Sequence, residues 1–267
     1  MEPTALITGA SSGIGAATAD RLAKHGFRVF GTSRHPDASA KARPHIHWIA
    51  MDVREDESVH KGVEQVLASC ERLDALVCNA GFGIFGSVEE VSVEAAKQQF
   101  ETNFFGTLRT LRAALPSMRE AGRGRVVVVG SLSGRAPIPF QAHYSASKAA
   151  LDALVLALHG EMHGLGVCVS LVEPGDIQTA FNDEMRWGDP NDSVYGQRIQ
   201  RAEGVIRDSL PAAPGPERVA RTIHRALTAR RPRVRYACGP DSWLVPLGRR
   251  LLPDRLSLGL IRRHFRL

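Results

Sequence analysis

TALITGASSGIGAATADRLAKHG, residues 4–26, decides the fold. Its first residues form a short apolar run, and glycines follow at once. After them, apolar residues recur at helical spacing up to Gly26, so the stretch reads strand, turn, helix. Gly9, Gly13 and Gly15, with Ser11, Ser12 and Ile14 between and beside them, let backbone approach a pyrophosphate and aim a helix N-terminus at it. The spacing is G-x-x-x-G-x-G rather than G-x-G-x-x-G, and such turns also occur without a ligand. The nucleotide reading therefore needs support from the rest of the chain.

Working outward, residues 27–32 (FRVFGT) read as a second strand ending at Ser33 and Arg34. An acidic residue at this place binds the ribose hydroxyls of NAD, whereas an Arg accommodates the 2′-phosphate of NADP. NADP is favoured here, with Ser11 as a further phosphate donor and Asp37 as an ordinary loop residue. Residues 46–53 form a third strand closing on Asp52 and Val53, placed to meet an adenine, although Asp52 could instead cap the helix at 55–70. A fourth strand at 75–80 ends in Asn79, Ala80 and Gly81. Helical pattern resumes from 92 to 120 with Asn103 near its middle. Asn and Gly are unfavourable inside a helix, so a local bend with a polar purpose is expected there, against the alternative of a solvent-facing Asn. Further strands are expected at 125–130, 167–172 and 234–238, and a helix at 217–230. Residues 179–216 show no periodicity and read as a functional lid of about 180–216 or as a partly disordered segment. Strands alternating with helices give a parallel sheet covered on both faces, in one domain.

Chemistry concentrates in residues 131–148, SLSGRAPIPFQAHYSASK. Tyr144 and Lys148 stand one turn apart on a helix that continues ALDALVLALHGEM. A phenol titrates near ~10, and a neighbouring ammonium favours its phenolate. Ser131 ends the run VVVVGS, a buried strand that delivers its hydroxyl to one sheet edge. A Ser that holds a carbonyl oxygen and a Tyr that protonates it make a ketone-reducing pair. Tyr-x-x-x-Lys alone also describes a solvated helix pair.

The 267 residues are 43% hydrophobic and 23% charged, ordinary for a soluble globule. Of the net +6, residues 241–267 supply +4, with six Arg against two Asp. The rest of the chain lacks the basic, aromatic-studded surface of a nucleic-acid binder. Four cysteines without CxxC spacing read as buried free thiols of a reducing compartment. His159 and His163 do not form HExxH and lack a third ligand, so no metal is expected. The early strand leaves no room for a signal peptide, and no apolar run spans a bilayer, which makes the expected location cytoplasmic.

Together these motifs resemble the short-chain dehydrogenase/reductase family in its compact single-domain branch. The resemblance covers about the first 180 residues, through Thr8–Gly15, Asn79–Gly81, Asn103, Ser131, Tyr144-x-x-x-Lys148 and Pro174-Gly175 with Thr179 after. VEPGDIQTAF (residues 172–181) is similar to the group holding 17β-hydroxysteroid and retinol dehydrogenases. The resemblance implies an α/β fold with a doubly wound, Rossmann-type, mostly parallel seven-stranded sheet. It implies a tetrad in which Tyr144 is the acid or base, Lys148 lowers its pKa and holds the nicotinamide ribose, Ser131 orients the substrate oxygen, and Asn103 holds a water linking Lys148 to solvent. Asn79 and Gly81 would line NADP(H); Pro174, Gly175, Ile177 and Thr179 would hold its nicotinamide end. Expected substrate walls are Phe82 to Phe85, Leu132 to Ile138 with Ser133, His143, and the segment from Phe181. These are mostly apolar, which suits a hydrophobic ketone or secondary alcohol. Arg135 and His143 either contact a polar group of the substrate or face solvent. A homodimer or homotetramer is expected, paired through the helices carrying Asn103 and Tyr144.

The tail, about 241–267, mixes Leu and Trp with Arg and admits three readings: a flap over the pocket, a subunit contact, or a peripheral membrane helix. An epimerase or dehydratase is disfavoured by the glycine spacing. A catalytically idle nucleotide-sensing or scaffold protein would have lost a tetrad residue, and all four are present.

Overall fold

A computed structural model of the chain describes residues 2–179, 186–187, 193–239 and 244–267. The first half runs β1 (Thr4–Ile7), α1 (Gly13–Lys24), β2 (Arg28–Ser33), α2 (Pro36–Ala42), β3 (His47–Ala50), α3 (Asp56–Ser69), β4 (Ala75–Cys78) and a short β5 (Ile84–Phe85). Next come α4 (Val93–Phe100), a π-turn (Glu101–Phe105), α5 (Gly106–Glu120), β6 (Gly124–Val129), α6 (Ala142–Glu161) and β7 (Val167–Pro174). The last part holds β8 (Arg186–Trp187), α7 (Gly196–Ser209), α8 (Pro216–Thr228), β9 (Arg235–Cys238), α9 (Leu244–Leu251) and α10 (Asp254–His264).

Seven strands pair in parallel in the order β3-β2-β1-β4-β6-β7-β9; β5 and β8 form a separate pair. The central strands are apolar throughout because both faces are covered. Their side chains alternate between two cores. Leu6, Leu76, Cys78, Val126 and Val128 pack on α3, α5 and α6 through Val63, Leu111, Met118, Leu151 and Val155. Ala5, Ile7, Val77, Val127 and Val129 pack on α1 and α8 through Leu22, Val219 and Ile223. Strand periodicity thus separates the two helical layers residue by residue. A third, smaller cluster joins Phe85, Ile199, Ala202, Val205 and Phe265, so α7 and α10 share one apolar contact.

Strand order reverses between β1 and β4, and the crevice beyond their carboxyl ends is where such sheets bind ligands. Gly9 makes the turn there at φ +63°, and a Cβ on it would lie 2.9 Å from Ala80 Cα. A Cβ on Gly15 would collide with the Gly9 carbonyl oxygen. Asn79 locks this turn from below. Its Nδ2 donates to the carbonyls of Thr8 and Gly9 at 3.0 Å each, while its own N–H donates to Thr8 Oγ1 at 2.9 Å.

Two expectations need correction. Asp37 lies in the first turn of the short helix α2 and not in a loop. Residues 179–216 are not aperiodic throughout, because α7 occupies 196–209 and buries Ile199, Ala202 and Val205 at i, i+3, i+6. That stripe is narrow and contains a small residue, which hid the helix among Arg, Gln and Gly.

Candidate active site

The crevice is a cavity of about 1100 Å³ extending from the glycine turn to α10. Gly9, Ser11, Ser12, Gly13 and Ile14 line one end, with Ser33, Arg34, Asp52 and Val53 at the ends of β2 and β3. Asn79, Ala80 and Gly81 follow, and Pro174, Gly175, Ile177 and Thr179 form the far wall after β7. Of the expected cofactor contacts, only Gly15 is off the wall; it packs behind the turn.

At the β2–β3 end, Asp52 does not cap α3, whose N-cap is Glu55. Its carboxylate takes three hydrogen bonds from the Arg54 guanidinium, Nε to Oδ1 at 3.0 Å and to Oδ2 at 3.1 Å, and Nη2 to Oδ2 at 2.6 Å. Those bonds hold Asp52 below the usual carboxylate range, with a smaller contribution from the charge of Arg34. Arg54 lines the cavity and was not anticipated, although its place two residues after Asp52 was visible in sequence.

Ser131, Tyr144 and Lys148 meet midway along the cavity. Ser131 is set by the end of β6, and Tyr144 and Lys148 by the first two turns of α6. Ser131 Oγ accepts from the Ser133 N–H at 3.1 Å and from the Ser133 hydroxyl at 2.9 Å. With both lone pairs engaged by Ser133, its own proton is the one it gives to the Tyr144 oxygen. Ser133 also lines the cavity, yet its bonds are to Ser131. Lys148 is 6% exposed, and its Nζ donates to the Val129 carbonyl at 2.9 Å. Nζ lies 5.7 Å from the centre of the Tyr144 ring.

Burial dominates both titrations. It pushes the Tyr144 phenol up to about 12, against the opposing hydrogen bond from Ser131. It brings Lys148 down to about 8. Burial thus moves Tyr144 in the direction opposite to the depression expected from Lys148, whose Nζ donates to the Val129 carbonyl.

Asn103 is 0% exposed and stands behind the wall. The π-turn aims it at the loop after β4: Oδ1 accepts from the Phe82 N–H at 3.0 Å, and Nδ2 donates to the Phe82 carbonyl and Ser147 Oγ at 3.0 Å each. The bend with a polar purpose is real, and the solvent-facing alternative is not. Gln99, which sequence reading missed, is also fully buried and donates to the Phe82 carbonyl at 3.2 Å.

Beyond Tyr144 the wall turns apolar, with Phe82, Leu132, Pro137, Ile138, Ile206 and Phe265. Gly83 to Phe85 lie behind it. His143 is off the wall with Nε2 buried and unbonded, because its neighbour Tyr144 takes the inward position on the first turn of α6. Arg135 also leaves the wall, drawn to within 3.7 Å of the buried Glu173 carboxylate. Phe181 lies outside the described residues. Ile261 and Phe265 of α10 line the cavity.

A doubly wound parallel sheet with a glycine turn at its switch point and a Ser–Tyr–Lys group beside it defines a dinucleotide-dependent oxidoreductase class. The profile of the short chain dehydrogenase family matches residues 3–189. The chain is 35% identical over 260 residues to the 3-ketodihydrosphingosine reductase of Bacteroides thetaiotaomicron, covering 96% of each. It is 37% identical over 254 residues to human 17-beta-hydroxysteroid dehydrogenase type 1, covering 86% of this chain and 76% of that one. Among solved structures, a short-chain dehydrogenase from Streptomyces avermitilis superimposes with a TM-score of 0.82 at 32% identity, over 97% of this chain and 94% of that one. An alcohol dehydrogenase from the archaeon Thermococcus sibiricus, complexed with 5-hydroxy-NADP, gives 0.71 at 27% identity, over 88% and 94%. The chain belongs to the short-chain dehydrogenase/reductase family of oxidoreductases.

Proposed function

We propose that this oxidoreductase uses NADP(H) to interconvert a hydrophobic ketone or aldehyde and its alcohol. The observation that carries the proposal is the Ser131–Tyr144 hydrogen bond at a cavity wall that turns apolar just beyond it, with Lys148 one helical turn away. The residues present fit the dinucleotide: Gly9, Ser11, Ser12 and Gly13 line the cavity at the N-terminus of α1, where backbone N–H groups and the helix dipole suit phosphate oxygens. Bound there, the nicotinamide supplies the hydride acceptor or donor.

The chain's residues handle the proton. With its pKa near 12, Tyr144 carries a proton at neutral pH and can give it to a carbonyl oxygen in the reducing direction. Ser131, its lone pairs filled by Ser133, donates a second hydrogen bond to that oxygen, where charge develops. Lys148, near 8, exchanges its proton at working pH and can restore one to Tyr144. Asn103 fixes the loop carrying Gly81 and Phe82, and with it the wall opposite Lys148.

NADP over NAD rests on Arg34. The carboxylate of Asp52 is already satisfied by Arg54, so Arg34 is left to meet a phosphate beside Ser11 and Ser33. The relatives named for 3-ketodihydrosphingosine and for a 17-beta-hydroxysteroid support an apolar substrate. The lid at about 180–216 and pairing of subunits through the helical segments carrying Asn103 and Tyr144, where Phe105 and Leu156 are exposed, belong to the same proposal. Side-by-side titration of NADPH and NADH against Trp fluorescence tests it. Clear NADPH preference is expected; preference for NADH overturns the Arg34 assignment, and binding of neither overturns the whole reading.

A further inference from the structure

Helix α10 has two faces. Ser257, Ile261 and Phe265 recur every four residues on the inner one, and Ile261 and Phe265 pack into the cluster with Phe85, Ile199 and Val205. Exposed leucines border this inner face on both flanks, Leu256 at 58% and Leu260 at 56% (where it meets the cavity) on one and Leu258 at 49% on the other, with the arginines on the arc between them. Helix α9 adds Leu247 and the 69% exposed Leu251. These five are nearly half of the eleven large hydrophobic side chains exposed among the described residues, yet they fall within two consecutive short helices. Scattered singly they would need no explanation; gathered in this way they mark an interaction surface.

Charge decides what covers it. Residues 244–267 contain six Arg and one Asp, a net +5 of the chain's +6. Arg255, Arg262, Arg263 and Arg266 are exposed among the leucines. A second copy of the chain would set one such cluster against another, and an uncharged apolar partner would leave the guanidiniums unanswered. No described helix is long and apolar enough to cross a membrane, and eleven residues of α10 reach only about 16 Å. A short helix whose outer arc of arginines is flanked by leucines suits the plane of a bilayer interface, with guanidiniums on phosphates and the leucines reaching toward the acyl boundary.

We propose that the outer faces of α9 and α10 dock on an anionic lipid bilayer, holding the cavity mouth at Leu260 and His264 against the membrane surface. The docking stands apart from the catalytic reading; only the idea that an apolar substrate enters from the lipid depends on it.

Flotation of the full chain with phosphatidylcholine vesicles, with and without phosphatidylglycerol, tests the proposal. Binding is expected to the anionic vesicles and to be at least tenfold weaker to the neutral ones. A Leu256→Glu, Leu258→Glu pair, and separately an Arg262→Glu, Arg263→Glu pair, should each weaken it by about tenfold or more. Turnover of a water-soluble ketone without vesicles should be unchanged in the leucine pair, which keeps a failed docking distinct from a failed enzyme. Three results would overturn the idea: no flotation with anionic vesicles, flotation indifferent to the leucine pair, or a sedimentation shift showing that this pair dissolves a dimer of the chain.

Discussion

Replacing Lys148 by Met should make the cofactor-free protein more stable at neutral pH, and the gain should vanish in alkali. The lysine is 6% exposed and its pKa falls from 10.5 to about 8 through burial of the charge. That drop corresponds to about 3 kcal/mol of native-state cost wherever the lysine is charged in both states, which is below pH 8. Between pH 8 and 10.5 the unfolded lysine keeps its proton while the folded one has lost it, so wild-type stability rises with pH across that window. Met removes the charge and leaves the Val129 carbonyl without its donor, a loss of about 1 kcal/mol. The net expectation is a variant about 2 kcal/mol more stable at pH 7, with its advantage shrinking by about 2 kcal/mol between pH 8 and 9.5. Urea unfolding at constant ionic strength, with equal slopes for both proteins, reads the difference directly. Tyr144 titrates higher in both proteins and does not enter below pH 10. A stability difference that is the same at pH 7 and 9.5 would refute the reasoning, because it would mean that the ammonium sits in this wall at no electrostatic cost. Turnover of the variant should be lost in either case.

Tyr144→Phe should bind NADPH as the wild type does and lose about 10²–10⁴-fold in kcat, measured by NADPH oxidation with an apolar ketone; unchanged turnover would end its acid–base role. Arg34→Ala should lower the NADPH-over-NADH preference by roughly ten- to a hundredfold, the worth of a charge-assisted bond to phosphate, with NADH binding unaffected. Ser133→Ala should lower kcat about three- to tenfold with KM little changed, since it loosens Ser131 without reshaping the apolar wall. Gly9→Ala should cost about 2 kcal/mol or more in thermal unfolding and impair binding of either dinucleotide, because φ +63° and the approach of Ala80 both oppose a side chain.

The seven strands and most of the helices were legible because each buried strand is a short apolar run set off by glycine or a polar residue. The helices α3, α5, α6 and α8 likewise carry clear stripes. Wall residues such as Ser131, Tyr144 and the loop at Asn79 were legible because their spacing along the chain maps directly onto strand ends. What escaped was whatever depends on distant partners. Arg54 matters only once it has closed on Asp52, and Gln99 only once it reaches the carbonyl of Phe82. His143 and Arg135 were misplaced for the same reason: sequence gives their neighbourhood, while the facing direction on α6 and the pull of Glu173 come from tertiary packing. The sign of the Tyr144 shift followed suit, since burial is a property of the closed cavity.

The π-turn at Glu101–Phe105 has a consequence for how this gene can change length. A π-turn amounts to one residue more than an α-helix needs in that arc. Removing one residue from 101–105 would restore regular α-helical pairing from α4 into α5, an apparent improvement by local rules. It would also rotate α4 against α5 by about 100°, carrying Gln99 away from Phe82 and breaking the brace that Asn103 shares with it. Substitutions along this helix can be absorbed one at a time, whereas a single-codon deletion here would trade a smoother helix for a displaced cavity wall.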